Sequence, residues 1–579
     1  MAYVLLMGVL SALCFADLAS HGTDNHDAET FRDNARITQD FSYFFSLDKE
    51  QVTGRPVADL FKWIASLFLG SNPAAFHLLV AFVHTLASLA LAFLVRQMGA
   101  ALKLSFLSGL LFLVNVTHFQ AVYHISALDY SLALVWSLLG LYSYLCFCQH
   151  LRPLWLGGTY AFLVLGVLTH MAAAAAGPLC LYWSWQQGHS LRAAFARLAP
   201  LGAVLAGLVL FALSITPRAT STWAALEYYG QVQVSPWSAL RLLAWFAGRL
   251  FITAHWVPLS LYREQTWELY LGAAVVALLL VLVCKRVFPL SIWSAWLLLA
   301  LLPFLFIPED LIFHFLPEGP SRYLYLATAG SSVLLAWVLW RPGLWLGTWR
   351  YYALAGGTAA VLVSSYVHLK KVEGFSHYTS GRHHIAADHI EEGVHRLQQA
   401  IAIGRDVIPL QDAYLRLCTT LLYLGRDPRP ELSDALLRFP GDLMLGAVRA
   451  VLDAQSSDPS TRGRGEQWLS EALRKTTSSG LGEVFKAHLS TLYTNLGKGH
   501  LRREEPRLAI RALECALDYA PGRSLPLEAL ANAWLMLGQQ QAHQRQTEQA
   551  VASLERAVEL APHSEEARRL LQSLRALIE

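Results

Sequence analysis

The chemistry in this chain begins in a short acidic stretch, SHGTDNHDAETFRDN, residues 20–34. Asp24, Asp27, Glu29 and Asp33 crowd into it beside His21 and His26, directly after an apolar segment at residues 2–18. A carboxylate within hydrogen-bond reach of a hydroxyl can take its proton as a new bond forms. Asp24 is the first candidate for such a base, Asp27 the reserve, and His26 a candidate cavity-lining neighbour. The same acids also suit a plain solvated loop, and Asp24, Asp27 and Glu29 offer oxygen ligands of the kind a divalent cation takes. No resident metal or other cofactor is expected.

Other chemistry-bearing residues sit at the edges of apolar segments. Arg322 and Tyr323 lie in SRYLYL, where a loop enters such a segment, and Arg55 stands in an Arg-Pro step before an amphipathic stretch at 57–69. Guanidinium and phenol groups at that depth suit a phosphate at the membrane surface. Asp129, at a segment boundary, is costly unless it is paired or faces a wet cavity. His77 and His84 are two turns apart on one helical face, and either line a cavity or pack between helices. His118, His124 and Asp129 sit in or beside a short outer loop, and His118 and Asp129 are, with His77, candidates to line the cavity. His383, His384, His389 and His395 do not fall on one turn, which favours a solvated linker over a metal site.

The elements that must position these groups follow from composition. Of 579 residues 55% are hydrophobic and 15% charged. Up to about residue 370, apolar runs recur that are long enough to cross a hydrocarbon core of ~30 Å, about eleven in all, with 171–187 and 351–369 among them. Beyond that point the chain turns polar. The expected fold is therefore all-α: a polytopic transmembrane bundle at 1–372, with an outer loop at 19–74, followed by a soluble helical-repeat domain at 373–579. A net charge of +3 argues against a nucleic-acid partner. The first segment has no basic flank and no clear cleavage site, and is expected to be a retained span. Residues 216–266 are mixed, and suit an interfacial or re-entrant helix or a further pair of spans.

Lys and Arg orient the set. Arg96, Lys103, Arg152, Arg192, Arg197, Lys285, Arg286, Arg341 and Arg350 fall on one side, and the short loops near 118–126 and 168–171 carry none. With a cytoplasmic N-terminus, the acidic loop, the long 216–266 section and the C-terminal domain are thereby expected on the non-cytoplasmic side, as is the loop before Arg322.

A tetratricopeptide (TPR) repeat of about 34 residues has fixed places for small residues and a closing proline. With Pro521 as that proline, Tyr493, Leu496, Gly497, Ala509, Leu513 and Ala516 fall on them; with Pro562, so do Trp534, Leu537, Gly538, Ala550, Leu554 and Ala557. The helix from Ser564 to Ile578 is expected to cap the stack, and 412–442 reads as a degenerate helix pair.

Four stretches then line up in order: GRPVADLFKWIASLFLGSNPAAFHLLVAFVHTLASL, LLFLVNVTHFQAVYHISALDYSLAL, GVLTHMAAAAAGPLCLYW and LPEGPSRYLYLATAGSSVLLA. With the TPR tail they resemble the GT-C membrane glycosyltransferases, and in particular the transmembrane, TPR-containing protein O-mannosyltransferases and their bacterial relatives. The resemblance implies a sugar donor linked to polyprenyl or dolichyl phosphate and a hydroxyl of a protein or glycan as acceptor. It also implies inverting transfer on the non-cytoplasmic face, with a first-loop acid as base. Asp24 occupies that place; the second acid of the usual pair is Asn25 here. Gln120 stands where relatives carry an acid, and His170-Met171 where they carry Lys-Glu. The alternative is a non-catalytic membrane scaffold whose TPR domain recruits cell-envelope partners. A bacterial inner membrane is the expected location, with the repeats on its outer side.

Overall fold

A computed structural model describes residues 2–15, 18, 55–70, 72–215, 235–251, 266–306, 321–340, 373–386, 388–403, 408–478, 482–521 and 523–578, with a few single positions between 352 and 363. Among them every regular element is helical, with short 3₁₀ turns. The chain forms two compact units, Met1–His383 with Ala402–Pro409, and His384–Ile401 with Leu410–Glu579.

The first unit holds α1 (Ala2–Phe15), α2 (Pro56–Leu69), α3 (Pro73–Gln97), α4 (Leu102–Leu113), α5 (Leu128–His150), α6 (Pro153–Thr169), α7 (Ala176–Gln186), α8 (Leu191–Ile215), α9 (Pro236–Phe251), α10 (Thr266–Cys284), α11 (Leu290–Leu301) and α12 (Tyr325–Trp340). Several starts are written locally. Pro56, Pro73 and Pro153 open their helices, where a missing N–H costs nothing. The Asn-Pro step of NPAAFH is a helix start: Asn72 Oδ1 accepts from the N–H groups of Ala74 and Ala75 at 3.1 and 3.4 Å. Gly70 stops α2 at φ 61°, a conformation that glycine adopts without strain. The segment 19–74, expected to be an outer loop, therefore contains a helix, and α2 exposes Ile64, Leu67 and Phe68.

Among the described residues five helical stretches are long and apolar enough to cross a membrane: Pro73–Gln97, Ile125–His150, Leu191–Leu210, Trp267–Cys284 and Ser321–Trp340. The expected number was about eleven. Tyr3–Phe15, Leu102–Leu113, Pro153–Thr169 and Leu290–Leu305 are apolar but shorter. At ~1.5 Å per residue a helix of a dozen residues reaches only ~18 Å. The segment expected at 171–187 is split into a 3₁₀ turn, Met171–Ala175, and α7. The one expected at 351–369 lies almost wholly outside the described residues. Of the mixed section, α9 is a helix, and 216–234 and 252–265 lie outside them.

Close backbone approach joins these helices, as membrane packing favours. A Cβ on Gly109 of α4 would lie 2.6 Å from Ser88 O of α3, and one on Gly330 of α12 would lie 2.8 Å from Trp293 O of α11. Between α9 and α10 a Cβ on Gly272 would lie 1.7 Å from Ala244 O, so only glycine fits there. A buried ion pair, Arg249 to Glu268 at 3.1 Å, fixes the register of those two helices.

The second unit runs through α14 (Ile390–Ile403), α15 (Leu410–Tyr423), α16 (Arg429–Arg438), α17 (Leu443–Ala454), α18 (Pro459–Ser478), α19 (Gly482–Arg502), α20 (Pro506–Tyr519), α21 (Ser524–His543), α22 (Thr547–Leu560) and α23 (Glu565–Ile578). The stretch of histidines expected to be a linker is partly helical: α13 (Glu373–Ala386) includes His383 and His384. Helices pack as consecutive pairs, α19 on α20 and α21 on α22. The two pairs are built alike. A Cβ on Gly497 would meet the Leu513 side chain at 2.6 Å, and one on Gly538 would meet Leu554 at 2.8 Å. Ala509 and Ala550 are fully buried at matching places. The expected degenerate pair is α15 with α16, and α23 follows the last pair.

His488 of α19 gives this unit a pH dependence. It is largely buried and hydrogen-bonded to the Met444 backbone, and burial pulls its pKa down to about 4 from 6.5. The depressed value means that below 6.5 the unfolded chain takes up a proton that the folded chain refuses. Stability is thus complete above pH 6.5 and falls as the pH drops toward 4, by about 2 kcal/mol at pH 5. Burial lowers the buried His500 as well, in the same sense. Hydrogen exchange of the α17 and α19 amides between pH 7.5 and 5 should show this loss. The loss should shrink in His488→Phe; an unaltered pH profile in that variant would refute the assignment.

Candidate functional site

The groups that gather in the first unit come from segments expected, from the Lys and Arg bias, on one side. Arg55 precedes α2, and its guanidinium pairs with the carboxylate of Asp129 in the first turn of α5. Asp129 is fully buried, and its Oδ1 also accepts the Tyr130 backbone N–H at 3.0 Å. Lys62, two turns along α2, donates to Ser126 O at 3.3 Å. The 3₁₀ turn Ser321–Leu324 brings in Arg322, whose guanidinium lies 5.5 Å from the Tyr323 ring centre. Gln120 clamps this turn: its Oε1 accepts the Arg322 backbone N–H at 3.0 Å, and its own N–H donates to Ser321 Oγ at 3.2 Å.

Asp129 feels the charges of Arg55, Lys62 and Arg322, together with His170. Arg55 and Arg322 also act on each other. Three cations therefore share the neighbourhood of Asp129, with Asp59 as a second carboxylate near Arg55. Among the described residues three cations stand near two carboxylates, and in a site of low dielectric such charges act strongly on any group that enters. Such an arrangement is suited to holding an anionic group.

An aromatic wall backs the cluster. Tyr130 lies against His170 at 4.2 Å between ring centres, His170 is 6.3 Å from Phe304, and Phe304 stacks on Tyr323 at 4.9 Å. Behind it sits a buried polar layer. His84 Nε2 is 3.0 Å from Leu113 O, so this nitrogen carries the proton and Tyr325 donates its hydroxyl to Nδ1 at 2.8 Å. Thr328 spends its hydroxyl proton on the carbonyl of Leu324 or Tyr325. His118 Nδ1 therefore donates to Thr328 Oγ1, at 2.8 Å. These bonds tie α3, the 116–118 turn and α12 together directly beneath Arg322.

The expected site residues fall into three groups. Arg55, Asp129, Arg322 and Tyr323 come together. His77, His84 and His118 are buried in the helix packing, and His84 and His118 act as bridges between elements. Asp24, Asp27 and His26 lie outside the described residues. So does Glu29, the third acid offered to a cation; among the described residues no three His, Cys, Asp or Glu side chains gather as ligands would. Lys62, Tyr130, Gln120 and His170 join the cluster without having been singled out as site residues. Gln120 and His170 had one visible signal, as departures from the related motifs. Lys62 and Tyr130 had none, because a lysine on an amphipathic helix and a tyrosine in an apolar run look ordinary.

No family model and no curated protein matches the chain. Among solved structures, yeast Tom70 aligns over 76% of this chain and 92% of its own, at 13% identity and a TM-score of 0.20. At that score the likeness bears on neither fold nor function.

Proposed function

We propose that this chain is a membrane glycosyltransferase of the GT-C type, moving a sugar from a polyprenyl- or dolichyl-phosphate carrier to a hydroxyl of a protein or glycan. The observation that carries this reading is the convergence of Arg55, Lys62 and Arg322 around Asp129 at the ends of apolar helices. Cations at a membrane edge suit the phosphate of a lipid-linked donor, and they stabilise the charge that develops on it as it leaves. The acceptor oxygen attacks the anomeric carbon, the bond to the phosphate oxygen breaks, and the acceptor proton passes to Asp24. One direct displacement inverts the centre. The reaction belongs on the non-cytoplasmic face of a membrane, a bacterial inner membrane on this reading, with the repeat unit engaging the acceptor or a partner protein.

The second reading, a scaffold without chemistry, draws on the repeat unit. There a groove of about 580 Å³ is lined by Leu432, Leu436 and Leu452 together with Arg429 and Arg449. Leu437 beside it is 83% exposed.

The test is sugar transfer by the full-length protein in membranes, over a panel of polyprenyl-phosphate sugars. Transfer by the wild type that falls at least tenfold in Arg322→Ala at equal expression supports the enzyme. Transfer indifferent to Arg322 refutes the assigned phosphate site, and no transfer from any donor favours the scaffold.

A further inference from the structure

His170 sits where the chain breaks between α6 and the 3₁₀ turn Met171–Ala175, with an extended backbone (φ −158°, ψ 128°). Its Nδ1 accepts the backbone N–H of Ala172 at 3.2 Å. A nitrogen that accepts holds no proton, so the neutral ring carries its proton on Nε2 and presents that edge as a donor. The ring is held on both sides, against Tyr130 at 4.2 Å and Phe304 at 6.3 Å, which leaves it little freedom to turn. Nε2 bonds to no group among the described residues, and it differs from His118 Nε2, which is sealed with no partner there. The residue as a whole is only 2% exposed, and it lies within electrostatic reach of Arg55, Asp129 and Arg322.

A fixed, neutral N–H donor beside a cluster of cations is a recognition element for an oxyanion. We propose that His170 donates its Nε2–H to a non-bridging oxygen of the phosphate group bound between Arg55 and Arg322. The inference rests on the reading of that cluster as a phosphate site and adds its specificity element. The arginines supply charge, which any anion satisfies. His170 supplies a directional bond, which selects an acceptor atom at one place and so orients the phosphate. The backbone N–H of Ala172 sets the tautomer and is therefore part of the device.

The probe is undecaprenyl monophosphate, titrated into the full-length protein in nanodiscs, with ¹⁵N-histidine resonances and affinity as readouts. Wild type should bind, and its protonated His170 Nε2 resonance should shift on binding. His170→Phe keeps an aromatic ring in the wall and removes the donor, and should weaken binding about tenfold, as the loss of a hydrogen bond to a charged group does. His170→Gln restores a donor without the ring and should stay within about threefold. Equal weakening by the two substitutions, or an Nε2 resonance that does not move, overturns the donor role. If Arg322→Ala still loses affinity in that case, the phosphate site itself survives. A wild type that fails to bind removes the site and the donor together. Inorganic phosphate that binds as tightly as the lipid, with the same loss in His170→Phe, keeps the donor role and makes the free anion the ligand.

Discussion

Asp24→Asn should lower the rate of sugar transfer by about 10²–10⁴-fold while leaving donor binding nearly unchanged. A hydroxyl is a poor nucleophile, and its proton must leave as the new glycosidic bond forms. An amide of the same size cannot accept that proton, so the loss falls on turnover and spares affinity. On the proposed reading affinity resides with Arg55, Lys62 and Arg322, none of which the substitution alters. The check is single-turnover transfer by wild type and variant at equal expression, beside a direct measure of donor binding. Asp27→Asn serves as the control and should remain within about tenfold of wild type. The reverse ranking would move the base to Asp27. A loss confined to binding would mean that Asp24 contacts the donor and does not act as base.

The second large effect concerns the ion pair of Arg55 and Asp129. The carboxylate is fully buried, whereas the Arg55 side chain is 41% exposed, so the two ends of the pair are not equivalent. Arg55→Gln strips a buried carboxylate of its direct partner and should destabilise the first unit by about 2–4 kcal/mol, somewhat less than a fully sealed pair because Lys62 and Arg322 remain nearby. Asp129→Asn should cost less stability, since Arg55 can turn to water. It should also strengthen binding of an anionic lipid phosphate, since the competing carboxylate is gone. The double variant should recover part of the stability that Arg55→Gln loses, the coupling that a direct contact produces. Thermal unfolding of the four proteins in one detergent, with lipid-phosphate affinity measured alongside, tests this. Strictly additive losses would show that the pair contributes nothing as a pair.

Much of the architecture was legible one residue at a time. The small and large positions of the two C-terminal repeats could be read because each repeat is a local unit: Gly497 meets Leu513 and Gly538 meets Leu554 across a single helix hairpin. Helix starts at Pro56 and Pro73 were equally local, although the Asn-Pro of NPAAFH looked like part of a motif and proved to be a cap. The number of membrane-crossing helices was less legible. Apolar runs mark burial in protein as readily as burial in lipid, and α4 and α11 are largely buried among other helices. The division of 171–187 into a 3₁₀ turn and a short helix had no signal in an alanine-rich run.

For the candidate site the sequence by itself determined part of the inventory. It supplied Arg55, Asp129, Arg322 and Tyr323 at segment edges, and the distribution of Lys and Arg led to the expectation that those edges share a side. Only the tertiary structure decided which of these groups meet and what each does. It paired Arg55 with Asp129 across 74 positions of chain, turned Gln120 into a clamp on the Arg322 backbone, and assigned His84 and His118 to the packing beneath. It also brought in His170 with its tautomer set by Ala172. The reason is physical. Charge and hydropathy act through composition and survive in a linear reading, whereas a hydrogen bond or an ion pair depends on distance and direction, which exist only once the helices have packed.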